Sequence, residues 1–181
     1  MKLLIASDLH GSAYYTQMLL AREAQEAPEK LILLGDVLYH GPRNDLPRDY
    51  APKQVIAQLS PLAEKILCVR GNCDTEVDQM VLPFPVLADY GWLYLDGRTV
   101  YLTHGHVINK AHPLAFAKGD ILLHGHTHIP ACEDCGDFMY LNPGSVSIPK
   151  EGSAHSYMVY ENGVFCWKDL LTGERYLEYR L

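Results

Sequence analysis

Three short apolar runs in the first half of the chain are separated by longer stretches of mixed polarity. They cover residues 2–7, 30–34 and 65–69, and their length and content are those of buried strands. Polar or glycine-rich sequence follows each run at once. The stretches between them are long enough for helices. Strands that alternate with helices are typical of an α/β fold with parallel strands at its centre.

Two of the stretches between these runs carry helix signals. Ser12 can cap a helix that runs to about Glu26, because its side chain can accept a hydrogen bond from a free backbone N–H of the first turn. The face of this helix that meets the core would carry Met18, Leu19 and Ala24. A second helix is predicted over residues 53–59, and Pro61 is expected to end it.

The second half of the chain changes to an antiparallel pattern. Asp-Gly at 96–97 and Asn-Gly at 162–163 each lie between two apolar runs, and both dipeptides favour the tight turn of a β-hairpin. The four runs cover residues 92–95, 99–102, 157–160 and 164–167. No linker accompanies this change near residue 90, so a single domain over residues 1–181 is predicted.

The composition is that of an ordinary globular protein. Of its 181 residues, 48% are hydrophobic and 20% are charged, which excludes an intrinsically disordered chain. Its five cysteines are odd in number and scattered, so free thiols in a reducing compartment fit better than a disulfide framework. The first apolar run is too short for a signal peptide, and no stretch has the length of a membrane span. We therefore expect a cytoplasmic protein without a membrane partner.

The net charge of -7 and the absence of any Lys/Arg run argue against a protein that binds long nucleic acid. Neutralisation of phosphates by a basic surface supplies most of the affinity in such proteins. A short nucleotide substrate stays compatible with this charge, because bound metal ions can supply positive charge locally.

Residue types that bind metal ions follow five of the apolar runs. The candidates are Asp8, His10, Asp36, Asn72 and His104, together with the histidines of the segment His124-Gly125-His126-Thr127-His128. In open α/β sheets, ligands collect at the carboxyl ends of strands. Carboxylate oxygen, amide oxygen and imidazole nitrogen together suit Mn, Fe or Zn. Two such ions, about 3.5–4 Å apart, can hold a bridging hydroxide and clamp the oxygens of a phosphoryl group.

Five short motifs, in this order, resemble those of the calcineurin-like metallophosphoesterase superfamily. They are Asp8-Leu9-His10, Gly35-Asp36, Gly71-Asn72-Cys73-Asp74, His104-Gly105-His106 and Gly125-His126-Thr127-His128. Taken singly, each also fits a turn or a buried histidine, but five in order do not form by chance. Segments 35–44 and 142–150 resemble the YfcE-type phosphodiesterases within this superfamily, which extends the likeness to nearly the whole chain.

The resemblance implies an α/β fold of two packed mixed β-sheets flanked by helices, a four-layer sandwich. It implies a hydrolase of phosphoric diesters that acts on a small phosphodiester substrate with two divalent metal ions, with Mn favoured over Fe or Zn. One ion would take Asp8, His10, Asp36 and His128. The other would take Asp36, Asn72, His104 and His126, so that Asp36 bridges the two ions.

Catalytic roles are predicted around the same motifs, for Asp36, Asn72, Cys73, Asp74 and His106. His106 would lie beside the metal ions, facing the substrate. Many members of the superfamily carry histidine where this chain has Cys73, and that histidine is held to protonate the leaving oxygen or to stabilise the transition state. Because a thiol is a poorer proton donor, the substitution favours substrates whose leaving group needs little protonation. A nucleophilic Cys73 is disfavoured when a metal-activated hydroxide is available.

Several alternatives stay open at this point. Arg43 can pair with a substrate phosphate or with Asp45 or Asp49. The Cys132/Cys135 pair has no second pair of ligands for zinc, so a surface hairpin with free thiols is predicted. His112 is expected to be solvated, whereas His40, His124 and His155 receive no role.

The function also has alternatives. Within the superfamily these are a phosphomonoesterase or a nuclease. Outside catalysis, the small retromer subunit resembles this fold and works through protein contacts, but such proteins typically lose a metal ligand. Tyr176 and Tyr179 are candidates for an exposed aromatic surface, so a homo-oligomer is one alternative to a monomer.

Overall fold

A computed structural model describes residues 1–181 and contains two β-sheets with three α-helices. The strands are β1 (Lys2–Ala6), β2 (Lys30–Leu33), β3 (Ile66–Cys68), β4 (Gly91–Leu95), β5 (Arg98–Thr103), β6 (Asp120–His124), β7 (Pro130–Asp134), β8 (Phe138–Pro143), β9 (Ser156–Glu161), β10 (Val164–Asp169) and β11 (Arg175–Arg180). The helices are α1 (Ala13–Glu26), α2 (Pro52–Leu59) and α3 (Glu76–Val81), and a 3₁₀-helix covers Ser60–Lys65.

Both sheets mix parallel and antiparallel pairs. The six-stranded sheet has the order β11-β10-β9-β1-β2-β3, and the five-stranded sheet has the order β4-β5-β6-β8-β7. Strands β1, β2 and β3 run parallel, as do β5, β6 and β8, and the remaining pairs are antiparallel. The predicted fold class of two packed mixed sheets is therefore confirmed. The parallel strands form one side of the six-stranded sheet, up to its edge at β3, and the centre of the five-stranded sheet.

Most elements that the sequence predicts are present within one or two residues of the expected bounds. The three apolar runs of the first half form β1, β2 and β3, and both Gly-containing turns close the predicted hairpins. Ser12 caps α1, since the backbone N–H of Tyr15 donates to its hydroxyl over 3.2 Å. The Cys132/Cys135 pair lies on a β7–β8 hairpin, and all five cysteines are free.

Helix α2 ends at Leu59, as predicted, and the chain continues as a separate 3₁₀-helix, because proline is tolerated in the first turn of such a helix. Two other details differ from the sequence-based prediction. Ala24 is exposed, and the buried face of α1 carries Glu23 instead, whose charge is paired with Lys65 over 2.9 Å. Strand β11 has no counterpart in the prediction, because its pattern is almost uniformly exposed.

The hydrophobic core has three parts. One lies on the outer face of the six-stranded sheet, one between the two sheets, and one on the outer face of the five-stranded sheet. Helices α1 and α2 pack on the outer face of the six-stranded sheet, around Leu4, Leu19 and Val55. The inner faces of both sheets share a second cluster that contains Ile5, Leu123 and Trp167. On the outer face of the five-stranded sheet, an irregular segment that carries Ile108 and Phe116 covers a small third cluster. A segment without regular structure therefore takes the place of a helical layer on that side.

None of the helices combines the length and the apolar character that crossing a membrane requires.

Trp167 links the two sheets and should contribute strongly to stability. Its side chain lies on β10, is fully buried, and donates from Nε1 to the carbonyl of Asn142 on β8 over 2.6 Å. Trp167→Phe should lower the free energy of unfolding by about 1–3 kcal/mol, because it removes this hydrogen bond and leaves part of the ring volume unfilled. Urea denaturation monitored by circular dichroism would measure the change.

Trp92 is the matched control, since its side chain is 63% exposed on β4. Trp92→Phe should change the free energy of unfolding by less than about 0.5 kcal/mol. Equal effects of the two substitutions would contradict the role assigned to Trp167.

Candidate metal centre

The structure brings all seven predicted metal ligands to one place, where the carboxyl ends of strands from both sheets meet. Asp8 and His10 follow β1, Asp36 follows β2 and Asn72 follows β3. His104 follows β5, and His126 and His128 follow β6. Because β1, β2 and β3 are parallel, their three loops leave the same edge of the sheet. The parallel strands β5 and β6 bring the histidines from the second sheet.

One group of ligand atoms surrounds Asp8. The Oδ1 atom of Asp8 lies 3.3 Å from Nε2 of His128 and 3.6 Å from Nε2 of His10. The two histidine nitrogens are 3.3 Å apart. Asp36 joins the group, since its Oδ2 is 3.6 Å from Nε2 of His10.

A second group lies on the other side of Asp36. The Nε2 atom of His104 is 3.3 Å from Oδ2 of Asp36 and 3.1 Å from Oδ1 of Asn72. His126 turns Nδ1 toward the same nitrogen at 3.2 Å. The same oxygen of Asp36 therefore faces both groups, which is the position that a bridging ligand would occupy.

Three of the imidazoles are oriented by hydrogen bonds from the nitrogen that points away from the site. The Nδ1 atoms of His10, His104 and His128 lie 2.8, 2.6 and 2.7 Å from the backbone carbonyls of Tyr39, Leu34 and Ile148. A carbonyl only accepts, so each Nδ1 carries the proton and donates it. The lone pair on Nε2 is then directed inward, as in histidines that bind metal ions.

The buried polar atoms at the centre lack partners that the protein could provide. Oδ1 of Asp8 is buried without a hydrogen bond, and Asp8 and Asp36 are 0% and 2% exposed. Two Nε2 lone pairs face each other between His10 and His128. Groups of this kind are costly to bury unless a cation balances them. The donor set therefore fits divalent metal ions.

The electrostatics of the site also favour positive charge. Burial opposes the charged form of His104, but Asp36 and Asp8 outweigh it and raise the pKa to about 9. At Asp8, burial opposes ionisation, yet the nearby imidazoles of His10, His128 and His104 favour the carboxylate and hold the pKa well below its usual range. His126 behaves differently, because burial and the charge of His104 lower its pKa to about 4.

The backbone at five of the seven predicted ligands is in the left-handed region that non-glycine residues rarely adopt. These residues are Asp8, His10, Asp36, His126 and His128, with φ between 47° and 67°. Each such residue costs free energy, and conformations of this kind concentrate at functional sites, where the surrounding structure enforces them.

Asp74 lies beneath the site and acts on the backbone. Its carboxylate accepts hydrogen bonds from the backbone N–H groups of Asp36, Val37 and Gly71, over 2.8, 2.9 and 2.7 Å. Both oxygens are thus occupied, and the side chain is 1% exposed. The predicted catalytic role of Asp74 stays a prediction. What the structure shows is a carboxylate that ties the loop after β2 to the loop after β3.

Cys73 and His106 occupy different environments near the ligands. Cys73 is buried, its Sγ accepts from Nδ2 of Asn72 over 3.2 Å, and burial together with the charge of Asp36 raises the pKa of the thiol. A neutral thiol of this kind is not a nucleophile. His106 is exposed, and its ring centroid is 5.5 Å from that of His104.

Two serines that the sequence analysis did not single out support the loop after β1. The hydroxyls of Ser145 and Ser147 both donate to the carbonyl of Asp8, each over 2.9 Å. Both lie in the segment 142–150, which entered the sequence analysis only through its resemblance to known phosphodiesterases. A buried hydroxyl that holds a backbone carbonyl leaves no periodic signal in a sequence.

The remaining histidines lie outside the ligand groups. His155 stacks on Tyr15 at 4.0 Å and donates to a backbone carbonyl, whereas His40 lies between two tyrosine rings. His124 is buried and stacks on Tyr140, and His112 is exposed as predicted. Nδ1 of His40 and Nε2 of His124 are buried without a hydrogen-bond partner, but neither residue belongs to the two groups of predicted ligands.

Comparisons with known proteins agree with this geometry. Residues 1–162 match the calcineurin-like phosphoesterase superfamily domain. The curated phosphodiesterase YfcE of Escherichia coli strain K12 is 48% identical over 164 residues, which cover 91% of this chain and 89% of that protein.

Solved structures show the same likeness. The structure of YfcE, described as a phosphoesterase from E. coli, has a TM-score of 0.96 and 44% identity, with 99% of each chain covered. A single mutant of Vps29 from Entamoeba histolytica has a TM-score of 0.66 and 21% identity, with 100% of this chain and 99% of that chain covered. At that identity the second likeness shows the fold alone.

Gly71 should be essential for the position of Asp36. A Cβ atom at Gly71 would overlap Oδ1 and the backbone nitrogen of Asp36. Gly71→Ala should therefore displace the carboxylate and lower the affinity for Mn²⁺ by about 10- to 100-fold, the scale seen when the support of a metal ligand is lost. Isothermal titration calorimetry would measure the affinity of both proteins for Mn²⁺.

Gly91→Ala is the matched control, because a Cβ atom there would meet its nearest neighbour, Val69, at an ordinary 3.8 Å. It should bind Mn²⁺ like the unmodified protein. Unchanged affinity in Gly71→Ala, with the fold intact, would rule out this constraint on Asp36.

Proposed function

Because this chain belongs to the calcineurin-like phosphoesterase superfamily, we propose that it is a metal-dependent phosphodiesterase that hydrolyses small phosphodiesters. One observation carries the proposal: two groups of ligand atoms share a single carboxylate oxygen of Asp36, which is itself buried. The 48% identity to a named phosphodiesterase supports a diester as the substrate.

We assign the ligands of two divalent ions, with Mn favoured over Fe or Zn. Asp8, His10, Asp36 and His128 would hold one ion, and Asp36, Asn72, His104 and His126 would hold the other. When bound, such a pair supplies a hydroxide nucleophile at neutral pH and neutralises charge on the phosphoryl oxygens.

The chain's own residues prepare this chemistry. The backbone carbonyls behind His10, His104 and His128 fix each imidazole in the tautomer that directs Nε2 inward. Asn72 and His126 line an open cleft of about 400 Å³, so a substrate can reach the ligands from that side. A second cavity, of about 540 Å³, adjoins the site beside His106 and His126 and gives room for an ester group.

Departure of the leaving group has to proceed without an acid at position 73. Cys73 is 7% exposed, and a Cβ on Gly41 would lie only 3.1 Å from its sulfur, so the loop after β2 covers it. His106 is the exposed imidazole near the ligands and is the residue we propose to face the leaving oxygen.

The other functions have less support. A nuclease would need a basic surface, and the net charge is -7. A protein-interaction scaffold need not keep a metal site, whereas here all seven predicted ligands are present and converge. A phosphomonoesterase differs only in substrate, so turnover of a chromogenic diester and of the matching monoester, each with and without Mn²⁺, separates the two.

Removal of metal ions should abolish activity, and Asp36→Asn should mimic much of that loss. An amide carries no charge and cannot bridge two cations as a carboxylate does. We expect Asp36→Asn to lose at least one metal ion per chain and to reduce turnover of an aryl diester by about a hundredfold or more. Elemental analysis gives the metal content, and release of nitrophenolate gives the rate.

Asp45→Asn is the control, because it removes an exposed carboxylate from the same loop. It should keep both metal content and turnover. The proposal fails if exhaustively chelated protein stays fully active, or if Asp36→Asn retains all its metal and its rate.

Cys73 and His106 can be distinguished by the leaving group. An aryl oxide departs without a proton, whereas an alkoxide must be protonated, and a positioned acid contributes about 10²–10⁴-fold to that step. Cys73→Ala should change the turnover of aryl and alkyl diesters by the same factor. His106→Gln should slow the alkyl diester more than the aryl diester.

His112→Gln, which alters an exposed histidine elsewhere, should affect neither substrate. A selective loss of alkyl turnover in Cys73→Ala would instead place the acid at position 73.

A further inference from the structure

The open cleft above the ligands carries two positive charges on its rim. Four predicted ligands line its floor, and Arg43, Asn44, Thr127 and Lys150 line its walls. No hydrophobic side chain contributes to it. A wholly polar cleft of about 400 Å³ fits a hydrated, charged group better than an apolar ester group.

The two cations have no acidic partner. Arg43 and Lys150 form no ion pair within 4.0 Å, although Asp45 and Asp49 follow Arg43 in the same loop. The only carboxylate that lines the cleft is Asp36, which the metal ions would engage. The sequence-based alternative in which Arg43 pairs with Asp45 or Asp49 is therefore wrong. In a chain of net charge -7, two unpaired cations on one cleft concentrate positive potential there.

The backbone on both sides of the cleft is held in place. Near Arg43, the side chain of Asn44 donates to the carbonyl of His40 over 2.8 Å. In the second segment that lines the cleft, the N–H of Lys150 donates to the carbonyl of His128 over 3.2 Å, and Ser153 donates to the carbonyl of Lys150 over 2.6 Å. Both side chains therefore extend from anchored loops, which limits the entropy lost when they bind an anion.

Arg43 and Lys150 are not needed to balance the charge of the scissile phosphodiester, because the metal ions would already do so. Two divalent ions, the carboxylates of Asp8 and Asp36, and one hydroxide leave a single positive charge. One phosphodiester anion cancels that charge. Arg43 and Lys150 then remain as an excess of two positive charges at the rim, which a dianionic group would balance.

We propose that Arg43 and Lys150 bind a second phosphate group of the substrate, so that the preferred diester carries a phosphate on one of its two ester groups. This inference rests on the proposed diesterase function and narrows its substrate class. The planar guanidinium of Arg43 can donate two parallel hydrogen bonds to a phosphate, and Lys150 adds a point charge from another segment that lines the same cleft.

The test compares aryl diesters that share a nitrophenyl leaving group and differ only in the other ester group. These groups are ethyl, 2-carboxyethyl and 2-phosphonatoethyl. The unmodified holoenzyme should prefer the phosphonatoethyl diester to the ethyl diester by about tenfold in kcat/KM, with the carboxyethyl diester between them, and added salt should weaken this preference. Lys150→Ala and Arg43→Ala should each lower the ratio by about three- to tenfold, the range of one charge-assisted hydrogen bond at a partly exposed site.

Lys150→Arg should keep most of the preference, because it retains the charge and the donors. Lys53→Ala, which removes an exposed and unpaired positive charge outside the cleft, should leave the ratio unchanged. Calorimetry can compare the binding of the two products, ethyl phosphate and phosphonatoethyl phosphate, without turnover. Phosphonatoethyl phosphate should bind more tightly than ethyl phosphate only when Arg43 and Lys150 are present.

Two results would overturn the inference. One is an unmodified enzyme that shows no preference in either turnover or product binding. The other is a pair of alanine variants that lose the same factor on ethyl and phosphonatoethyl diesters, since the cations would then act on the scissile phosphate. If no diester is hydrolysed with metal present, the proposed diesterase function fails, and product binding still decides the role of the two cations.

Discussion

The burial of two carboxylates, those of Asp8 and Asp36, is the main free-energy cost that the rest of this fold has to offset. Asp8 and Asp36 are 0% and 2% exposed, and they lie among histidine nitrogens whose lone pairs also point inward. Without a cation, the site can satisfy these groups only by taking up protons, which is why the pKa of His104 is raised to about 9. Divalent ions would replace those protons and turn a costly cluster of buried polar groups into a stable one.

Much of the surrounding structure serves to hold that cluster in position. Gly71 gives the carboxylate of Asp36 the space that any other side chain would occupy, and Asp74 accepts three backbone hydrogen bonds that join the two loops. Ser145 and Ser147 hold the carbonyl of Asp8 from a third segment. These contacts hold the ligands in their left-handed backbone conformations, so the strain persists in the folded state.

The loop after β2 connects this interior to the substrate side. It contributes Asp36 at its base, covers the thiol of Cys73 through Gly41, and carries Arg43 to the rim of the cleft. In the proposed mechanism, this single anchored segment would influence metal binding, the exclusion of position 73 from proton transfer, and the charge that a substrate meets on entry. In a protein of net charge -7, such a localised positive rim would direct anions to the ligands without making the whole surface basic.

The sequence by itself determined the parallel strands β1, β2 and β3, both Gly-containing hairpins, and the identity of the seven candidate ligands. Hydrophobic periodicity and turn chemistry are local properties, and the motifs follow the strands directly in the chain. The tertiary structure decided everything that depends on residues distant in sequence. It shows that Asp74 binds backbone amides, that Glu23 is buried against Lys65, and that Arg43 and Lys150 line one cleft without acidic partners. Residues 43 and 150 lie on separate loops, and no local pattern records that the fold brings them together, because burial and charge pairing are set only once the two sheets have packed.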